Sequence, residues 1–261
     1  MRAEEILIMQ KMKKIVDTLG LNEALRQRIF EVANEVLERA EKNIDRRLMS
    51  RREVFPAVFM IVMRNVGISM SMHDAYRVVM SISSKNPLFI QDEFKPKTAR
   101  RMMKTLLEKM KMKYTVFAPP KDVILYTVDF FVRWYLYRTK DVSIALWRRP
   151  RRIILTYNDD VVKFIEKAVD IIGEKLPDKP TKTYISGLYY VGLLASTTLR
   201  DMKYVNQILV SDIFNTTPIA VRKYAREIAK ICKIGYEIDK KILSISRRGK
   251  RPLFSRSSLS L

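Results

Sequence analysis

The run Asn215-Thr216-Thr217-Pro218-Ile219-Ala220-Val221-Arg222-Lys223-Tyr224 holds residue types that cap a helix, open it and charge its first turns. Asn and Thr side chains accept hydrogen bonds from the amides that a helix start leaves unpaired, and Pro fits the first helical position. The opening turn then presents Ala220, Arg222 and Lys223. A long apolar segment, the stretch Thr198-Leu199-Arg200-Asp201-Met202 and a short helical segment precede this run, so the order predicts a helix-turn-helix pair. In such a pair the second helix enters the DNA major groove with its N-terminal residues at the base edges. Arg222 suits a guanine edge, and Ala220 or Val221 suits a thymine methyl. Lys223 and Arg226 suit phosphates, which position a protein without specifying sequence. The competing reading turns Val221 into the core and leaves the cations in solvent. A comparable arrangement over 69–112 makes the feature appear twice.

A second cation cluster is denser. Arg148, Arg149, Arg151 and Arg152 flank Pro150 beside Trp147, which predicts an extended phosphate-binding arm on charge alone. Other chemistries lack their residues. One cysteine, Cys232, permits no disulfide within the chain, and with one histidine, His73, no conventional zinc site is available. Cys232 lies four residues after Ile228, at helical spacing, and is expected in the core; His73 is expected at the surface or in a cap. There is no converging carboxylate cluster and no Gly-rich phosphate loop, so no enzyme activity, cofactor or metal is expected. Asp159-Asp160 reads as part of a helix cap.

The elements that must position these residues are helical throughout. Apolar residues recur at three and four, and Gly is rare, with seven in the chain. Ile6, Met9, Met12, Ile15, Val16 and Leu19 predict one helix, stopped by Gly20. Asn22 caps a second. Ser50 opens a third, whose Val54–Val66 segment is apolar almost all round and therefore expected to be enclosed. Met72–Ile82 and about Pro96 to Lys113 give a fourth and a fifth. The pattern then restarts: Asp122 to about Trp134, a helix capped by Asn158-Asp159-Asp160, Thr183–Ser196, a short helix from about Lys203, and a basic helix from Pro218. The expectation is an all-α fold of two five-helix units, each ending in a helix-turn-helix-like pair. The first covers 1–116. The second covers 117–239 with a basic insertion at about 135–157, and 240–261 forms a basic, flexible tail.

The chain carries a formal charge of +22, with Lys and Arg outnumbering Asp and Glu 50 to 28. At 48% apolar residues it is too hydrophobic to be disordered at that charge. Such a balance favours polyanions, nucleic acid above all. Arg2, Glu4 and Glu5 break up any leader-like start, and the run Val54–Met63 is too short to span a bilayer. A soluble cytoplasmic, nucleoid-associated protein is expected.

Laid out as two units, the chain resembles the core of transcription factor B, the archaeal relative of the eukaryotic general initiation factor, which is built from two cyclin-like repeats. The resemblance covers roughly residues 3 to 235 apart from the insertion. It rests on Thr18-Leu19-Gly20-Leu21 before Asn22, on Lys97 to Tyr114, on Pro119-Pro120-Lys121-Asp122-Val123, on Asn158-Asp159-Asp160-Val161, on Ser186-Gly187-Leu188 through Leu194-Ala195-Ser196, and on Ile219-Ala220-Val221-Arg222. It implies that Thr217, Ala220, Val221 and Arg222 read a duplex element upstream of a TATA box. It implies that Lys97, Arg100, Arg101 and Lys104, with Lys95 and Lys111 nearby, meet the backbone downstream. The TATA-binding protein is the implied partner. The family's zinc ribbon and reader segment are expected to be absent, since Met1 falls just before the first helix and one cysteine exists. RNA polymerase, or a separate protein supplying that ribbon, then becomes a further possible partner. The helices carrying Phe55, Phe59, Met60, Tyr189 and Tyr190 are bulkier than the family's Ala-rich ones. The expected function is a promoter-binding regulator of transcription. The alternative is a cyclin-like adaptor for another protein, with Phe130-Phe131, Trp134, Tyr135 and Tyr137 as its docking surface.

Overall fold

A computed structural model of the chain describes residues 2–83, 96–112, 119–140, 145–178 and 180–245. It is all-α: thirteen α-helices and one 3-10 turn, with no strand, among the described residues. The helices fall into two units, Met1–Arg138 and Thr139–Leu261.

The first unit holds α1 (Ala3–Leu19), α2 (Glu23–Asn43), α3 (Arg46–Met49), α4 (Val54–Val66), α5 (Met72–Ser83), α6 (Pro96–Lys109) and α7 (Pro120–Arg138). Local chemistry sets most of these boundaries. Gly20 takes a left-handed φ of 60° and closes α1 through its N–H to Val16 and Asp17. Asn22 Oδ1 accepts from the Leu25 amide at 2.8 Å and opens α2. Asp45 caps the single turn α3, so Ser50 ends that turn, and the residue before α4 is Glu53. Ser71 and Asp74 exchange hydrogen bonds at the start of α5, a reciprocal capping box. The apolar helix α4 is buried along nearly its whole length, as its composition predicts, and packs on α2, α5 and α6.

Helix α7 belongs to this first unit rather than opening the second. Its aromatic face explains why. Phe130 meets Phe59 of α4 at 6.4 Å between ring centroids, and Trp134 Nε1 donates to Ser81 of α5 at 3.0 Å. Asp129 accepts from the Asn22 amide at 3.3 Å and pairs with Arg133 at 2.6 Å, tying α7 to the α1–α2 junction. Phe130, Phe131, Trp134 and Tyr135 are therefore core residues, and the docking surface expected of them is not exposed.

The second unit holds α8 (Ala145–Ile172), a 3-10 turn (Gly173–Lys175), α9 (Lys182–Ser196), α10 (Leu199–Met202), α11 (Gln207–Phe214), α12 (Pro218–Ile231) and α13 (Gly235–Ile245). The expected extended arm and the expected cap at Asn158-Asp159-Asp160 are both replaced by one long helix, α8. Pro150 inside it removes one hydrogen bond, a cost of about 3 kcal/mol. The buried stripe Ile153, Ile154, Tyr157, Val161, Ile165, Val169 and Ile172 outweighs that, at about 1.5–3 kcal/mol for each large side chain. The short helix expected from Lys203 is instead the turn α10 followed by α11, which Asn206 caps through the Leu209 amide at 2.8 Å. The tail expected from 240 is helical to Ile245, and residues beyond it lie outside those described.

Helix α9 is the hub of this unit, packed against α8 on one side and α12 on another. Two glycines allow both approaches. A Cβ at Gly187 would lie 2.6 Å from Tyr224 Cβ and 2.9 Å from the Ala225 backbone nitrogen of α12. A Cβ at Gly192 would lie 2.9 Å from Val161 Cγ1 and 3.1 Å from Phe164 Cδ1 of α8. No helix among the described residues is long and apolar enough to cross a membrane.

Candidate nucleic-acid interface

Three residues join α11 to α12. Asn215 adopts a left-handed φ of 48° and ends α11, with its amide directed at Ser211 and Asp212 carbonyls. Thr217 Oγ1 accepts from the Ala220 amide at 3.3 Å and Pro218 fills the first turn. Both features follow from side-chain chemistry within four residues of each other, and together they give two helices joined by a short turn.

The faces of α12 are sharply divided. Val221, Ala225, Ile228 and Ala229 are buried, and Val221 has no exposure at all. The expected base contact by Val221 is thus corrected: it packs inward, in step with Ala225 and Ile228 at four and seven residues on. Arg222, Lys223, Arg226 and Lys230 are exposed, as is Ile219 at 78%. Spacings of three, four, seven and eleven from Ile219 put all five on one stripe. Thr217 is exposed but its hydroxyl serves the cap, and Ala220 is half-buried. Ile219 escapes a reading of the sequence for charge, although it sits off the 221–225–228 stripe and that alone marks it as outward-facing.

Arg222 is held in place. Its Nε and Nη2 donate to Gln207 Oε1 at 3.0 and 2.8 Å, bridging α12 to the start of α11. Gln207 also hydrogen-bonds Tyr190 of α9. The guanidinium keeps its Nη1 side for an incoming acceptor. Ile208, next to Gln207, is 69% exposed.

Burial pushes the Tyr190 phenol up to about 12, against the opposing pulls of Gln207 and Arg222. Below pH 10 the folded and unfolded states both keep this proton and its contribution to stability is complete. Between pH 10 and about 12 the unfolded state ionises alone, so stability falls by about 1.4 kcal/mol per pH unit. Tyr190→Phe is expected to make the alkaline fall of the urea midpoint shallower between pH 10 and 12. It will not flatten it, because burial also raises Tyr184 to about 12. An identical fall in wild type and variant would disprove the assignment.

The arginines at the start of α8 are not an arm. Arg149 stacks on the Tyr204 ring at 5.0 Å and donates Nη1 to its hydroxyl at 2.6 Å. Arg152 reaches Asp201 Oδ1 of α10 at 3.4 Å, and Tyr157 donates to Asp201 Oδ2 at 3.0 Å. Arg148 is exposed, Arg151 half-buried, and the Trp147 side chain lies outside those described.

In the first unit, α6 exposes Arg100, Arg101 and Lys104, the last 3.6 Å from Glu108. Lys111 lies past the helix end with a φ of 52°, so it does not continue the face of α6 that carries Arg100 and Lys104. The side chain of Lys97 and all of Lys95 lie outside the described residues. So does 84–95, and with it the turn of the helix-turn-helix pair expected over 69–112. His73 is half-buried on α5. Cys232, expected in the core, is half-buried at the C-terminus of α12, and that burial raises its thiol pKa.

No protein-family model, curated protein or solved structure matches this chain.

Proposed function

We propose that the chain is a DNA-binding regulator of transcription of the factor-B type, with α12 as its major-groove helix. One observation carries the reading: α12 turns Arg222, Lys223, Arg226 and Lys230 outward on a single stripe while its other face is locked onto α9. Arg222, braced by Gln207, is the residue placed to read a guanine edge, and Lys223 and Arg226 take phosphates. Arg100, Arg101 and Lys104 of α6 supply backbone contacts, as the resemblance implies, and the TATA-binding protein is the partner on the promoter. The charge of +22 supports a polyanion as ligand. No catalytic step is part of this reading.

The test is a mobility-shift titration on a TATA-containing duplex, with and without TATA-binding protein, at two salt concentrations. The expected result is a supershift that needs the TATA-binding protein. Arg222→Ala is expected to weaken it by about 1–3 kcal/mol and to relax preference at one base pair. Arg226→Ala is expected to weaken all sequences alike. Binding indifferent to the TATA-binding protein would reduce the reading to a basic DNA-binding protein. No binding to any duplex would move it to the cyclin-like adaptor.

A further inference from the structure

The basic residues of α8 do not act alone. Arg149 of α8 and Lys203, just after α10, approach the same ring, Tyr204, each at 5.0 Å from its centroid. Arg152 and Tyr157 of α8 converge on the two oxygens of Asp201 in α10. Tyr157 also meets the Thr198 hydroxyl at 3.1 Å. These contacts span 41 to 55 residues of sequence and clamp the start of α8 onto α10. Around the clamp, Arg148, Arg200 and Lys203 are exposed. Arg148 and Arg152 lie one helical turn apart, and Arg149 and Arg152 share a flank. Arg200 and Lys203 are likewise three apart. Among the described residues one carboxylate, Asp201, stands with these cations, and it is already engaged by Arg152 and Tyr157.

We infer that α8 and α10 together form a second nucleic-acid grip, one that holds the phosphate backbone of duplex DNA without regard to sequence. It rests on the proposed reading that the chain binds DNA, but it uses none of the α12 residues. The chemistry favours phosphates over bases. The cations belong to two clamped helices, so they are presented as a fixed array rather than on a flexible arm, and less freedom is lost on binding. Arg149, its guanidinium carbon over the Tyr204 ring and its Nη1 donating to the Tyr204 hydroxyl, has further N–H donors in a planar fork that suits phosphate oxygens. Exposed Lys and Arg side chains at such a site act by displacing the counterions of the duplex. Their signature is therefore a salt slope rather than a base preference.

The experiment measures affinity for a labelled duplex with no TATA element, and for one with it, across a salt series. It compares wild type, the triple variant Arg148→Gln/Arg200→Gln/Lys203→Gln, and the double variant Arg222→Gln/Arg226→Gln. All three residues of the triple variant are exposed, and circular dichroism confirms the fold. The triple variant is expected to lower the slope of log K against log salt by about 2–3, near 0.9 for each phosphate no longer neutralised, equally on both duplexes. An unchanged slope, with binding abolished only in the double variant, overturns the second grip and leaves the α12 reading standing. Binding abolished in the triple variant and intact in the double one keeps the grip and removes the α12 reading. Wild type that binds neither duplex overturns both. Tight binding of polyglutamate, weakened in the triple variant as strongly as DNA binding, would overturn it in favour of an acidic protein partner.

Discussion

Gly187→Ala will destabilise the second unit by about 1–2 kcal/mol, although a glycine in mid-helix normally costs stability. Replacing a mid-helix glycine by alanine gains about 1 kcal/mol where space allows. Here there is none. The new methyl would stand 2.6 Å from Tyr224 Cβ and 2.9 Å from a backbone nitrogen, atoms fixed to α12 rather than at the ends of flexible chains. The α9–α12 crossing must widen, and overpacking of a tight contact costs about 1–3 kcal/mol, which outweighs the helical gain. Gly187→Val, with two more methyls, should cost more still. Gly192→Ala is the control. Its neighbours at 2.9 and 3.1 Å are side-chain atoms of Val161 and Phe164 rather than backbone, so its cost should be smaller than that of Gly187→Ala. Urea unfolding followed by circular dichroism measures all three. A Gly187→Ala midpoint equal to wild type would mean that α12 does not sit this close to α9. On the proposed function, Gly187→Ala should also weaken DNA binding at temperatures where it is folded, because widening the crossing moves the stripe from Ile219 to Lys230.

What the sequence disclosed follows from how local its chemistry is. Asn22, Thr217-Pro218 and Gly20 set helix ends through bonds spanning four residues or fewer, and each can be read directly. The apolar run Val54–Val66 announces a buried helix by composition alone. Asn158-Asp159-Asp160 has the look of a cap but lies mid-helix, because the stripe from Ile153 to Ile172 keeps its phase across it and tertiary burial decides. Val221 is misread for a smaller reason. A three-residue window, Ile219-Ala220-Val221, has no phase, whereas extending it to Ala225 and Ile228 fixes one. The Arg149–Tyr204 and Arg152–Asp201 pairs are out of reach, since partners 55 and 49 residues apart leave no mark in local pattern. The same holds for Gly187: its type is visible, but the atoms it makes room for are not.

Trp134→Ala will cost the first unit about 3–5 kcal/mol, the range for truncating a fully buried aromatic residue. Trp134 is 1% exposed, stacks edge-on against Phe131 at 6.0 Å and donates to Ser81 of α5. Trp134→Phe keeps much of the ring packing and loses the hydrogen bond, so about 1–2 kcal/mol is expected. The location of the loss carries as much information as its size. Because Trp134 and Phe130 fill space beside Ser81 and Phe59, the variant should speed hydrogen exchange in α4 and α5 and leave α9 and α12 at wild-type rates. Had α7 opened the second unit, as its place after Pro119-Pro120 suggests in sequence, the protection lost would be in α9 and α12. A Pro-Pro pair breaks a helix but does not say which core the next helix joins. Here that is decided by the aromatic face, whose residues at 130, 131 and 134 find their partners in α4 and α5.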